Sequence, residues 1–236
     1  MTRDITVQKN MLLKPDWYLY FYDQLSEYFY NYDENKIGKE KEWFEKRKNI
    51  VETIKDAISK NKICFGTKGN NFDSEREKID TIVIHSTSST GHGDESEDDI
   101  EYLNALTLIR LYCREYSSEK RDYHGRPIYS GHYFNNKQTF IPYHYLIEKN
   151  GKIHHILKDE YIGWQAGNWN INCKSISIAF IGSFENSEPT DIAIQSVKNI
   201  IQKYPKSKII GHSEIIETRC LGNNFLNNTK WKNKLI

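Results

Sequence analysis

Long apolar runs are missing from these 236 residues. No stretch approaches the roughly 20 residues a helix needs to cross a bilayer, so no membrane span is expected. Neither sign of charge is in excess. The formal net charge is +1, which gives no basic face for holding nucleic acid through its phosphates. Cysteine is sparse, and Cys64, Cys113, Cys173 and Cys220 stand far apart with no CxxC pair. That spacing argues against a disulfide scaffold and against a cysteine-rich structural zinc site, and unpaired thiols fit the cytoplasm. Internal repeats, low-complexity tracts, HExxH, phosphate-loop and dinucleotide fingerprints are all absent.

Aromatic surface is what the chain has in quantity, with 16 Tyr and 5 Trp. Such side chains bury large areas and also serve as platforms for sugars or peptides. With 38% apolar and 28% charged residues, the composition is that of a globular chain. Its length suits one large domain, or one of ordinary size with an extension. Between Asp16 and Tyr32 aromatics crowd together, and Trp17, Phe21 and Tyr28 recur at helical separations. From Lys39 to Lys60 charged residues interleave with Trp43, Phe44, Ile50, Val51, Ile54 and Ile58, the stripe of an amphipathic helix. A Gly-rich passage from Phe65 to Asn71 marks a boundary. These signals set an N-terminal helical extension over 1–70 and a second domain over 71–236. Either the extension packs its aromatic face on the rest of the chain, or it is a binding arm.

Beyond the boundary, strand and helix signals alternate. The run Ile82-Val83-Ile84 ends in His85, and Ile100, Leu103, Leu106, Ile109 and Tyr112 step along a helix. Residues 143–147 and 152–157 flank a Lys149-Asn150-Gly151 hairpin turn. Residues 175–181 are a β-branched run, read as a central strand. Ala193, Val197, Ile200, Ile201 and Tyr204 make a helix stripe stopped by Pro205, and 208–211 is a last strand before His212. The predicted fold class is α/β, a mixed central β-sheet flanked by helices.

Two histidines, His85 and His212, thus stand where predicted strands end, and strand ends are rigid enough to place ligands. Cys220 follows His212 across a loop. Two imidazoles and a thiolate match a catalytic zinc site whose fourth position is left to water. Taken singly, each histidine is more often a hydrogen-bonded structural residue, and Cys220 an inert buried thiol.

Four segments together carry a stronger signal: Ile82–Thr87 (IVIHST), Tyr143–Ile156 (YHYLIEKNGKIHHI), Gly163–Gly182 (GWQAGNWNINCKSISIAFIG) and Gly211–Gly222 (GHSEIIETRCLG). In that order they resemble the zinc-dependent N-acetylmuramoyl-L-alanine amidases, a family that includes amidase-type phage lysozymes and the peptidoglycan recognition proteins. The resemblance spans roughly residues 72 to 230. It implies Zn2+ held by His85, His212 and Cys220, and hydrolysis of the amide joining N-acetylmuramic acid to L-alanine in peptidoglycan or muropeptides. It also implies catalytic roles for Tyr143 and for Thr218, whose position is used in relatives by Lys or Thr to help the reacting oxygen. His144 resembles a histidine supporting the ligands from behind and reads equally as a structural residue. Tyr145 would point to the opposite face. Trp164, Gln165, Asn168 and Trp169, with His144, form the candidate substrate-binding set; the bland reading of that loop is ordinary packing.

Departures from the family pattern matter. Gln165 stands where many relatives have His, and a carboxamide cannot shuttle a proton near neutral pH. Ala179 occupies the place of a glutamate in the muropeptide-recycling branch, so the chain looks closer to the tyrosine-using branch. The usual Cys-Pro-Gly reads Cys220-Leu221-Gly222, which is expected to loosen the ligand loop. The pair His154 and His155 points to opposite faces of a strand and cannot jointly hold one metal. His124 and His132 read as surface or loop residues, and the acidic run Asp94 to Asp99 as a solvated loop. The competing function is a non-catalytic peptidoglycan-binding recognition module. Such members typically lose the ligand cysteine, which this chain keeps; a weaker third reading is an amidase on another acyl-peptide. The first ten residues lack the apolar core of a secretory signal. That leads us to expect synthesis in the cytoplasm and action on the wall after release or on wall fragments.

Overall fold

The computed structural model describes residues 9–30, 40–87, 99–184, 187–218, 220–222, 224–225 and 231–236. Of the acidic run, 94–98 lie outside the described residues. The chain divides into two compact units, Met1–Asn70 with Asp99–Ile141, and Asn71–Asp98 with Pro142–Ile236. This differs from a split into 1–70 and 71–236, because Asp99–Ile141 groups with the helical extension. Seven strands lie among the described residues: β1 (Thr81–Ser86), β2 (Tyr133–Phe134), β3 (Lys137–Gln138), β4 (Tyr145–Ile147), β5 (Ile153–His155), β6 (Ser175–Phe180) and β7 (Lys208–Gly211). No described helix is long and apolar enough to cross a membrane.

Apolar surface explains the grouping of the first unit. The short helices α1 (Trp17–Tyr20) and α2 (Tyr22–Leu25) bury Trp17, Tyr18 and Leu25. These share one core with Val51 and Ile54 of α3 (Glu40–Ser59), and with Tyr102, Leu106 and Ile109. The last three lie on α4 (Ile100–Thr107) and the π-helical turn Leu108–Cys113 that continues it. Of the aromatics read between residues 16 and 32, Trp17, Tyr18 and Tyr28 are buried, whereas Tyr20 and Tyr22 stay exposed. Buried polar tips find partners, as buried aromatics require: Trp17 Nε1 donates to the Cys64 carbonyl (3.1 Å) and the Tyr18 hydroxyl to the Tyr116 carbonyl (3.1 Å). Asp99 starts α4 by accepting from the Glu101 N–H, and Lys55 Nζ sits 2.7 Å from its carboxylate. The π-helical turns Ser26–Tyr30 and Leu108–Cys113 interrupt what the periodicity alone reads as plain helices.

In the second unit five strands pair in the order β5-β4-β6-β1-β7. β1 runs parallel to β6 and β7, β4 runs parallel to β6, and β5 is antiparallel to β4 across the expected hairpin. This is the mixed central sheet predicted from the sequence. Every residue of β1 and of β6 is buried, as parallel strands covered on both faces require. Side chains alternate between faces. Ile82, Ile84, Ile176, Ile178 and Phe180 meet Ala193, Ile194, Val197 and Ile200 of a helix (Asp191–Ile201) capped by Thr190 Oγ1 on the Ala193 N–H. The other face of β1 and β6 carries His85, Ser175 and Ser177. A six-residue helix, Trp169–Lys174, precedes β6; too short for an apolar stripe, it reads as loop from sequence.

Tyr145, as expected, faces the core, and its hydroxyl donates to Asp159 Oδ1 (2.8 Å). The Tyr204 hydroxyl and His155 Nε2 (3.2 Å) meet the same carboxylate. Burial disfavours the charged carboxylate, and hydrogen bonds from Tyr204 and Tyr145 more than offset it, leaving the Asp159 pKa below its usual value. A depressed folded-state pKa gives stabilisation that is present above the unfolded value and lost as pH falls through the folded one. Asp159→Ala leaves both phenols without their acceptor and is expected to cost about 3 kcal/mol in urea unfolding at neutral pH. The difference from wild type should shrink below roughly pH 4.

Candidate metal centre

The ligand cluster is built at the ends of adjacent strands. β1 carries His85, wholly buried. β7 passes through Gly211 into the 3-10 turn His212–Glu214. A Cβ on Gly211 would overlap the Phe225 ring, so only glycine lets the chain close there. Glu214 Oε2 accepts from the Gly211 N–H (2.7 Å) and steadies the turn. Cys220 returns from the following loop, and one nitrogen of each histidine and Cys220 Sγ lie within 4.8 Å of one another. Cys220 Sγ is 3.8 Å from His85 Nδ1, and the two imidazole centroids are 4.5 Å apart.

The orientation of each donor tests whether a cation fits. His85 Nε2 hydrogen-bonds Gln165 Oε1; a carbonyl oxygen only accepts, so the ring proton sits on Nε2 and the Nδ1 lone pair faces Cys220. His212 Nε2 is buried with no hydrogen-bond partner among the described residues. An orphaned buried nitrogen is costly, and a metal ion removes that cost. Cys220 Sγ accepts from the Ser86 N–H (3.4 Å) and lies 3.8 Å from Ser86 Oγ. Burial, then the neighbouring His212, push the His85 pKa well down against the Gln165 hydrogen bond. Burial likewise lowers that of His212, so both rings are neutral, the form that ligates. Burial raises the Cys220 thiol, opposed by hydrogen bonds from Ser86 and from the Leu221 backbone. Two neutral nitrogens and a sulfur supplied with donors fit a tetrahedral cation site.

Tyr143 lies just before β4 with its ring centroid 4.9 Å from that of His85. Thr218 Oγ1 accepts from the Cys220 N–H (3.2 Å), fastening the ligand loop. His144 is wholly buried. Its Nδ1 accepts from the Ser177 N–H (3.1 Å) and lies 3.0 Å from Ser177 Oγ, and its Nε2 donates to the Tyr161 carbonyl (3.0 Å). Asn168 caps the Trp169–Lys174 helix through the Ile171 N–H (3.1 Å). Trp164 and Trp169, 49% and 39% exposed, form a three-ring cluster with Phe72, centroids 5.6–5.8 Å apart. No motif marks Phe72 in the sequence. His132 is buried, although it does lie in a loop. Ala179 pairs directly with His85 in the β1–β6 register, so the absent glutamate would have stood beside that ligand.

The expected loosening at Leu221 is replaced by a different arrangement. Leu221 takes a φ of 73°, which proline cannot adopt, and its N–H donates to Ser86 Oγ (3.2 Å). Its side chain is wholly buried in the sheet core. The residue trades backbone strain for a donor and an anchor.

Fold and site thus define an α/β domain in which three side chains that could hold a metal ion come together. The chain belongs to the N-acetylmuramoyl-L-alanine amidase family, whose model matches residues 75–223. It is 34% identical over 96 residues to peptidoglycan-recognition protein SD of Drosophila melanogaster, covering 37% of this chain and 50% of that protein. To peptidoglycan-recognition protein SD of Drosophila simulans it is likewise 34% identical over 96 residues, covering 37% and 50%. The chain spans about half the length of these curated relatives. Among solved structures, N-acetylmuramoyl-L-alanine amidase LysC from Clostridium intestinale is similar at 19% identity and a TM-score of 0.41, covering 64% of this chain and 80% of that one.

Proposed function

We propose that this protein is a zinc-dependent amidase that hydrolyses the bond between N-acetylmuramic acid and L-alanine in peptidoglycan or muropeptides. The observation that carries the reading is the convergence of His85, His212 and Cys220, with a buried His212 nitrogen that lacks a partner among the described residues. These three residues would hold zinc, which supplies Lewis acidity toward water and toward an amide carbonyl. The chain's own groups do the rest. Tyr143, its ring against His85, is assigned to donate a hydrogen bond to the oxygen on which charge develops. Thr218 accepts from Cys220 through Oγ1 and keeps its hydroxyl proton for a second donation. The exposed faces of Trp164 and Trp169 suit the apolar faces of sugar rings. Neither Gln165 nor Ala179 can deliver the proton that the leaving nitrogen needs, so that proton comes from another source.

Digestion of purified peptidoglycan with and without a chelator tests this. Release of peptides with a free alanine N-terminus, abolished by the chelator and restored by zinc, is expected. The identity to recognition proteins favours a second reading, binding without cutting. Tight muropeptide binding with no release at any metal concentration would establish it.

A further inference from the structure

We infer that Gln165 is a positioning residue of the metal centre: its carboxamide locks His85 in the Nε2–H tautomer and keeps Nδ1 open for the cation. This rests on the zinc reading above. Gln165 is only 6% exposed, and both ends of its carboxamide are engaged. Oε1 accepts from His85 Nε2, and Nε2 donates to Ser175 Oγ (3.0 Å). The backbone that carries it is pinned as well, since Asn172 Oδ1 accepts from the N–H groups of Gln165 (3.3 Å) and Ala166 (2.9 Å). A reversed carboxamide would point an N–H at His85 Nε2. The ring proton would then move to Nδ1 and aim at Cys220 Sγ, where a cation must sit. The observed orientation leaves a lone pair there instead.

An acceptor behind a ligating imidazole fixes its ring and raises its basicity. Histidine at position 165 could also carry a proton near neutral pH, and glutamine cannot. The substitution therefore gives up proton transfer and keeps ligand orientation.

Cobalt(II) titration, followed by the thiolate-to-cobalt absorption band, measures this without reference to turnover. Wild type is expected to take up one ion with that band. Gln165→Leu should bind 10- to 100-fold more weakly while showing the same band at saturation, and Gln165→Glu, which keeps an acceptor toward His85, should recover most of the loss. Equal affinity in wild type and Gln165→Leu overturns the inference. Absence of cobalt binding in wild type instead overturns the zinc reading beneath it. Nitrogen-15 spectra of histidine-labelled, metal-free wild type give a check that needs no variant: a proton on His85 Nε2 supports the inference, and a proton on Nδ1 overturns it.

Discussion

Replacing Cys220 with serine is expected to lower kcat/KM on peptidoglycan by at least about 10³-fold, because a metal's Lewis acidity is worth several kcal/mol of barrier at about 1.4 kcal/mol per decade. The sulfur lies 3.4 Å from the Ser86 N–H and 3.8 Å from both Ser86 Oγ and the Ser86 carbonyl oxygen, and burial holds its pKa up, so a cation is what would favour the thiolate. A serine hydroxyl stays protonated and offers zinc a weaker ligand than a thiolate. The side chain is similar in size, so the sheet core around it should persist and the loss should fall on the site. Zinc per chain after exhaustive dialysis and turnover should both drop in Cys220→Ser while the circular dichroism spectrum is kept. Full activity in this variant would remove Cys220 from the centre.

Tyr143→Phe separates chemistry from metal binding. Only the phenolic oxygen is lost, and the ring contact with His85, centroids 4.9 Å apart, is available to phenylalanine as well. Zinc content and KM are therefore expected to stay near wild type, while kcat falls about 10²- to 10³-fold, the usual cost of removing one donor to a developing oxyanion. Single-turnover assays on a defined muropeptide distinguish the outcomes. An unchanged kcat would take Tyr143 out of the reaction, and a loss of zinc would mean that the hydroxyl serves the metal site instead.

The two variants probe residues that differ in how readable they are. His85 and His212 are legible because each follows a short apolar run that reads as a strand with a defined end, buried throughout in β1 and only partly in the edge strand β7. Cys220 sits in a loop with no periodic signal, so only the resemblance of its segment singles it out. The sheet was legible for the same reason as the histidines: β1, β6 and β7 are apolar runs. Packing partners far apart in sequence were not. Gln165 meets His85 across 80 residues, and no spacing rule links them. The grouping of Asp99–Ile141 with the first 70 residues arises when Tyr102 and Leu106 meet Trp17 and Val51 in one core. His144 illustrates a different limit. Its place in the motif suggests chemistry, and only the structure shows its nitrogens meeting the Ser177 N–H and hydroxyl and the Tyr161 carbonyl. Leu221 is a third case, since a positive φ at a branched residue is a conformation that composition argues against.

Zinc-edge X-ray absorption of the purified protein tests most directly whether a single zinc ion is bound to sulfur and imidazole. The predicted result is one zinc per chain with one sulfur at about 2.3 Å and nitrogen or oxygen neighbours at about 2.0–2.1 Å. A metal-free protein that takes up no zinc, or a zinc shell without sulfur, would contradict it.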